Sequence, residues 1–265
     1  MKSFKNKTVI VTGSSKGIGK AIAFVFLKHG ANVVINERNK EQLNAIKEEF
    51  KNKGYHPLAI VGDITKPQNC KRLVNTTTKQ FGRIDYLINN AGLSMRGRFE
   101  NINAEFFKSV VDANLMSGVY CTQAALPAIR ETQGSIIFIS TIASIHGQPN
   151  MSPYCVAKIG LTALAQSLRI ELAKSKVHIG LLRAGFVKNY PDKKVLYPDG
   201  SYVSIKRKGH QTAEEVACAV LKMIRKKRFM MTLTLLGKTT SFLQCLFPGL
   251  VYRVLCKTQH SKWYE

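Results

Sequence analysis

The sequence predicts an α/β fold, a doubly wound parallel sheet with helices on both faces. Three observations predict it: short β-branched runs alternate with amphipathic stretches of helical length, a glycine-rich turn follows the first run, and no repeat or linker breaks the alternation. With 265 residues, 45% of them apolar and 9% aromatic, the chain has enough apolar material for a packed core, which excludes disorder.

Strands are expected over 8–12, 32–36, 57–61, 84–88, 134–140 and 177–182, each a short apolar run bounded by polar or turn residues. The connection 103–130 is long enough for a helix. So is 153–174, where Ser152 and Pro153 form an N-cap and N1 pair. After about Gly185 the periodicity is lost, and 186–210, with Pro191, Pro198 and Gly200, is expected to be a mobile substrate loop. Helix returns over 212–228, and 228–233 supplies a last strand. The organisation expected is one domain over residues 1–233 and a basic amphipathic C-terminal extension over 234–265.

The net charge of +24 predicts attraction to polyanions. The six cysteines, 70, 121, 155, 218, 245 and 256, are scattered without ligand spacing, so neither a metal site nor a disulfide framework is suggested. Reduced, mostly buried thiols are expected. The N-terminus runs directly into the first apolar run, which predicts a cytoplasmic protein.

The turn Thr12-Gly13-Ser14-Ser15-Lys16-Gly17-Ile18-Gly19 joins the first strand to the first helix. Glycines so placed let the backbone turn tightly and bring a pyrophosphate to a helix N-terminus, as in a Rossmann-type dinucleotide fold. The second strand ends at Asn36-Glu37-Arg38, where an acid binds the ribose 2′-hydroxyl and an arginine holds a 2′-phosphate. Lys16 and Arg38 favour NADP(H). Glu37 keeps NAD(H) open.

Tyr154 and Lys158 stand four residues apart near a helix start, so their side chains rise from one face. A phenol transfers protons poorly at neutral pH, and a neighbouring ammonium favours its phenolate. Such a pair is common on helix surfaces, but other segments accompany it. Val61-Gly62-Asp63-Ile64, Asn89-Asn90-Ala91-Gly92, Asn114 within Asp112-Ala113-Asn114-Leu115, and Tyr154-Cys155-Val156-Ala157-Lys158 follow in the order and spacing of one family. In them the chain, over about residues 6–233, resembles the short-chain dehydrogenase/reductase family.

The resemblance implies that Asp63 and Ile64 meet the adenine, and that Asn90, Ala91 and Gly92 pack beside the cofactor. It also implies that Asn114, Tyr154 and Lys158 form a proton relay with water, and that the protein is a homo-oligomer. The family's serine, thirteen residues before the tyrosine, falls on Thr141, with Ser140 one residue earlier. Neighbouring strand residues face opposite ways, so Thr141 is expected to supply the hydroxyl. After the sixth strand the family commonly shows Pro-Gly. Here Ala184-Gly185-Phe186-Val187-Lys188-Asn189 stands instead, which keeps the close approach at Gly185, places Val187 at the cofactor and leaves Asn189 as a hydrogen-bonding group. The reaction implied is hydride transfer to or from a carbonyl or alcohol carbon, with Tyr154 moving the proton.

From Lys222 to Glu265 nine basic residues stand against one acid, and Leu, Phe and Val lie between them. Pro248-Gly249 divides the run into pieces too short to span a bilayer, so a helix pair lying on an anionic membrane surface is expected, the alternative being that it packs on the domain or on a partner subunit. With Pro198-Asp199-Gly200-Ser201-Tyr202 and Thr212-Ala213-Glu214-Glu215-Val216-Ala217, this extension also resembles the membrane-associated branch containing dehydrogenase/reductase member 7B, which implies a lipid-like small-molecule substrate. The alternative is a catalytically impaired regulator or polyanion-binding protein on the same fold, motivated by Thr141 and the charge. No motif for specific nucleic-acid binding occurs.

Overall fold

A computed structural model describes residues 4–188, 193–205 and 209–258. Seven parallel strands form the main sheet: β1 (Thr8–Thr12), β2 (Asn32–Glu37), β3 (Leu58–Val61), β4 (Tyr86–Asn89), β5 (Ser135–Thr141), β6 (His178–Ala184) and, after a two-stranded hairpin, β9 (Met230–Thr232). Their order is β3-β2-β1-β4-β5-β6-β9. The chain therefore reverses direction across the sheet between β1 and β4, which opens a crevice at their carboxyl ends. Val9, Ile10 and Val11 in β1 are fully buried, as a central strand covered on both faces must be.

Helices α1 (Gly17–Lys28), α2 (Lys40–Lys51) and α7 (Ala213–Arg225) cover one face, packing Phe26, Phe50 and Val220 against Val9, Val11 and Ile137. Helices α3 (Pro67–Phe81), α5 (Ser117–Thr132) and α6 (Ser152–Glu171) cover the other, around Phe138 and Leu181. The chain signals many of these ends. Pro67 opens α3 and Gly82, at φ +69°, closes it. Thr212 and Glu215 form a reciprocal capping box for α7, a device that contributes about 1 kcal/mol.

Several expectations need correction. The stretch 103–130 is two helices, α4 (Ala104–Val111) and α5, joined by a π-helical turn over Asp112–Met116. Helix α6 begins at Ser152 itself: Met151 is its cap, and the buried Ser152 hydroxyl has no hydrogen-bond partner among the described residues. Segment 186–210, read as lacking regular structure, contains the hairpin β7 (Lys194–Leu196) and β8 (Tyr202–Ser204). Asn189 and Pro191 lie outside the described residues. Only Cys70, Cys121 and Cys155 are buried; Cys218, Cys245 and Cys256 are exposed. The extension holds α8 (Leu235–Leu246) and α9 (Pro248–Thr258), divided at Pro248. Among the described residues no helix is long and apolar enough to cross a membrane.

At the amino end of the sheet Asp85 ties the segment before β4 to the start of β1. Its carboxylate accepts from Lys7 Nζ at 3.0 Å, the Thr8 N–H at 3.0 Å and the Arg83 guanidinium at 2.6 and 2.8 Å. Burial pushes this carboxyl up, but the bonds from Arg83, Thr8 and Lys7 outweigh burial and hold it below the ordinary carboxylate range. Its contribution is thus present above the ordinary carboxylate pKa and lost as pH falls further. Asp85→Ala leaves the Thr8 donor and two cations unanswered. Denaturant unfolding at neutral pH should show a loss of about 3 kcal/mol, shrinking in acid.

Candidate active site

The turn after β1 is held open by close backbone contacts. Gly13 has φ +60°, and a Cβ there would stand 2.8 Å from Ala91 Cα. Gly19 lies against the Gly13 carbonyl, and Gly17 has φ +55°. Only glycine meets these demands without strain. Thr12 Oγ1 accepts from the N–H groups of Asn90 (3.0 Å) and Ala91 (3.1 Å), while Asn90 Nδ2 donates back to the carbonyls of Thr12 (2.9 Å) and Gly13 (3.0 Å). On the other side, the Ser14 hydroxyl exchanges bonds with the Asn36 backbone.

These contacts shape a cleft of about 560 Å³ along the carboxyl ends of β1, β2 and β4. Gly13, Lys16, Gly17, Ile18 and Gly19 line it, with Arg38, Asp63, Ile64, Asn90, Ala91, Gly92 and Val187. The sequence expectation thus gathers into one place. Ser15 sits behind this wall, donating to Glu37 Oε2 at 2.7 Å, and Glu37 Oε1 accepts from the Arg38 N–H at 2.9 Å. Asp63 Oδ1 accepts from the Thr65 N–H (3.0 Å) and hydroxyl (2.8 Å), which fixes the loop after β3. The glycine cradle, its helix N-terminus and the cations at its rim fit a dinucleotide.

A second cavity, of about 240 Å³, adjoins it at Ile18, Asn90 and Gly92. Asn114, Ser140, Thr141, Tyr154, Lys158 and Gly185 line this cavity together. The first two turns of α6 carry Tyr154 and Lys158 on one side, with Lys158 Nζ 5.8 Å from the tyrosine ring centre. Lys158 is buried, donates to the Ile139 carbonyl at 3.3 Å, and is pushed down to about 8 by burial. Opposite it, the π-helical turn presents Asn114, whose side chain accepts from the Leu93 N–H (3.2 Å) and donates to the Val110 carbonyl (2.9 Å). Gly92 separates the two: a Cβ there would lie 2.6 Å from Asn114 Oδ1 and 3.5 Å from Lys158 Nζ.

Thr141 ends β5, and its Oγ1 accepts from the Ala143 N–H at 3.3 Å, capping the turn that follows. Ser140 also lines the cavity, and its buried hydroxyl has no hydrogen-bond partner among the described residues. Strand alternation alone did not place both there. The turn at Gly185, without the proline of the resemblance, is held by buried Gln211: its Oε1 accepts from the Gly185 N–H (2.8 Å) and its carbonyl from the Lys188 N–H (2.7 Å). Gln211 carries no sequence signal for this role, and neither do Arg96, Gln148, Met151 and Val195, which also line the cavity.

The sequence family described as short chain dehydrogenase matches residues 7–195. An 11-beta-hydroxysteroid dehydrogenase 1A of Arabidopsis thaliana is 36% identical over 185 residues, 69% of this chain and 53% of that relative. A 3-oxoacyl-acyl-carrier-protein reductase of Staphylococcus epidermidis is 32% identical over 184 residues, 69% of this chain and 75% of that relative. The chain spans about half the length of the hydroxysteroid dehydrogenase relative. Among solved structures, an alcohol dehydrogenase from Thermococcus sibiricus complexed with 5-hydroxy-NADP has a TM-score of 0.74 at 25% identity, covering 86% of this chain and 95% of the other. A short chain dehydrogenase/reductase from Burkholderia phymatum in complex with NAD shares the fold, with a TM-score of 0.83 at 19% identity over 95% of this chain and 97% of the other. The chain belongs to the short chain dehydrogenase family.

Gly92→Ala tests the geometry. The added methyl displaces Asn114 from Leu93, and overpacking of this kind costs about 1–3 kcal/mol. Gly147→Ala, where nothing lies within 4 Å of the new Cβ, is the matched control. Chemical unfolding should separate the two variants by that amount; equal midpoints would mean that the loop yields.

Proposed function

We propose that this member of the short chain dehydrogenase family is an NADP(H)-dependent oxidoreductase acting on a carbonyl or alcohol group of a lipid-like substrate. The observation that carries the reading is the buried ammonium of Lys158 beside Tyr154 on the floor of a cavity that opens into the glycine-cradled cleft. A nicotinamide cofactor held in the cleft supplies or takes up the hydride. The chain's own residues manage the proton. Tyr154 donates it to the substrate oxygen in reduction and removes it in oxidation, while charged Lys158 stabilises the phenolate. The Thr141 hydroxyl accepts from Ala143 and so can direct its own proton at the substrate oxygen. Asn114 braces the loop that encloses Lys158, and a water between them completes the relay.

Preference for NADP(H) is supported by Lys16 and Arg38 at the exposed rim of the cleft. The Glu37 carboxylate, which would repel a 2′-phosphate, is engaged by Ser15 and by the Arg38 N–H.

In carbonyl reduction with NADPH, Tyr154→Phe should lose at least about a hundredfold in kcat/KM, the scale of a positioned proton donor. Lys158 is charged below about 8, and that charge stabilises the phenolate left when Tyr154 gives up its proton, so wild-type reduction should fall as pH rises through that region. The apparent value belongs to the Tyr154–Lys158 pair. A phenylalanine variant as fast as wild type would remove Tyr154 from the mechanism.

The extension supports the lipid-like assignment. Phe242, Leu246, Phe247, Leu250, Tyr252 and Val254 on α8 and α9 are each half exposed or more. Lys238, Arg253 and Lys257 lie among them, and no acid occurs between Glu215 and Glu265. An apolar face set among cations is complementary to an anionic bilayer surface, with basic residues contributing about 1 kcal/mol each near such a surface. The extension begins beside the reactive end of the fold, since Gly237 packs against Ile142 and Thr234 against Gly185. We therefore read residues 234–265 as a peripheral membrane element, as in the branch containing dehydrogenase/reductase member 7B. In flotation with phosphatidylserine-containing vesicles, the full chain should float, and the quadruple variant Phe242→Ser, Leu246→Ser, Phe247→Ser, Leu250→Ser should remain with free protein. Equal flotation of both would remove the membrane assignment.

A further inference from the structure

The catalytic cavity does not end at its apolar walls. Met95, Ile142, Met151, Val195 and Ile205 form much of its surface, and beyond them stands Arg96, only 8% exposed. Arg96 lines a further cavity as well, of about 580 Å³, whose wall also includes Arg98, Asn101, Asn150, Tyr197 and Asp199. Arg96 thus lines both the cavity that holds Tyr154 and Lys158 and a polar chamber that shares no lining residue with the cofactor cleft.

Its placement is built by tertiary structure. The Arg96 N–H donates to the Leu196 carbonyl at 3.0 Å, the Leu196 N–H donates to the Ser94 carbonyl at 3.0 Å, and the Gly97 N–H donates to the Asn150 carbonyl at 3.0 Å. Met95, fully buried, anchors the segment against Leu196. Arg96 is also close enough to Cys155, the neighbour of Tyr154, to favour its thiolate against the upward push of burial. The other charges of the chamber are held locally. Asp199 accepts from the Ser201 N–H at 2.9 Å, and Arg98 pairs at 3.1 Å with Glu100, both of them two-thirds exposed. A surface pair of that kind is weak and exchangeable.

We propose that Arg96 selects substrates carrying an anionic group, a carboxylate at the end of an apolar chain, with the reacting carbonyl at Tyr154 and the carboxylate at the Arg96 wall. This rests on the assignment of Tyr154 and Lys158 as the reacting end. Guanidinium is suited to the task because it stays charged and offers paired donors in carboxylate geometry. The apolar wall accepts the chain between the two ends. The chamber beyond Arg96, with Arg98, Asn101 and Asn150, keeps the anion partly solvated, which lowers the cost of moving it out of water.

The test reads binding separately from turnover. Calorimetry on the full chain saturated with NADP+ compares octanoate with methyl octanoate, which differ in charge and hardly in apolar surface. A charge-assisted contact is worth about 1.5–3 kcal/mol, so octanoate should bind about tenfold tighter or more. In Arg96→Met the two should bind within about twofold of each other, with the ester unchanged; Arg96→Lys should retain part of the preference. Lys193, which lines both the catalytic cavity and the cofactor cleft, is the control: Lys193→Met should leave the ratio intact. Equal binding of acid and ester by wild type overturns the proposal whatever the variants do. So does a ratio that collapses in Lys193→Met and survives in Arg96→Met. Oxo esters reduced at the oxo group in a Tyr154-dependent reaction, with no preference for the matching oxo acids, would sink this inference and leave the proposed reaction standing.

Discussion

The close approach of the β1–α1 turn to the loop after β4 is the constraint on which the rest of the structure depends. Gly13 lies so near Ala91 that no side chain can intervene, and Thr12 and Asn90 lock the two segments with four hydrogen bonds. The clamp falls where β1 and β4 are neighbours and the connections on either side run in opposite directions. It therefore fixes the floor of the cofactor cleft and the position of Gly92 at once. Since Gly92 lies between Asn114 and Lys158, the same clamp reaches the proton-transfer residues. Cleft and catalytic cavity are two ends of one rigid arrangement.

Around that floor the site uses burial as a chemical tool. Lys158 is taken out of water and donates to the Ile139 carbonyl, and burial lowers its pKa to about 8. The π-helical turn between α4 and α5 is its structural counterpart. An extra residue in the turn departs from the regular helical ladder and sets Asn114 facing Lys158, in keeping with the frequent occurrence of such turns at functional sites. Thr141 and Gln211 show the same economy. Each stands at a departure from the family pattern, Thr141 in place of the serine and Gln211 bracing the turn that lacks the proline, and each accepts a backbone N–H that keeps the local geometry.

The hairpin β7–β8 and the helices α8 and α9 supply what the sheet does not. The hairpin closes the catalytic cavity through Val195 and, through Leu196, aligns the segment that carries Arg96. The last helices begin against Gly185 and Ile142 and carry exposed apolar side chains among lysines and arginines.

The strand and helix order, the glycine turn, the Tyr154–Lys158 pair and the break at Pro248 were legible in the sequence because each rests on local periodicity or backbone conformation. The α3 start at Pro67, the α7 cap at Thr212 and the apolar runs of the strands carry their instructions within a few residues. The hairpin was not legible: its strands are three residues each, and Leu196 bridges to Met95, about a hundred positions away in the chain. For the same reason the sequence marked neither Gln211 nor Arg96, whose roles come from contacts across the fold. The sequence by itself determined the sheet, the glycine cradle and the pairing of Tyr154 with Lys158 on one helix. Tertiary structure alone decided that Ser140 and Thr141 share one cavity, that Gly92 keeps Asn114 apart from Lys158, and that a buried arginine closes the far end. Such placements are set by long-range packing, which no local pattern encodes.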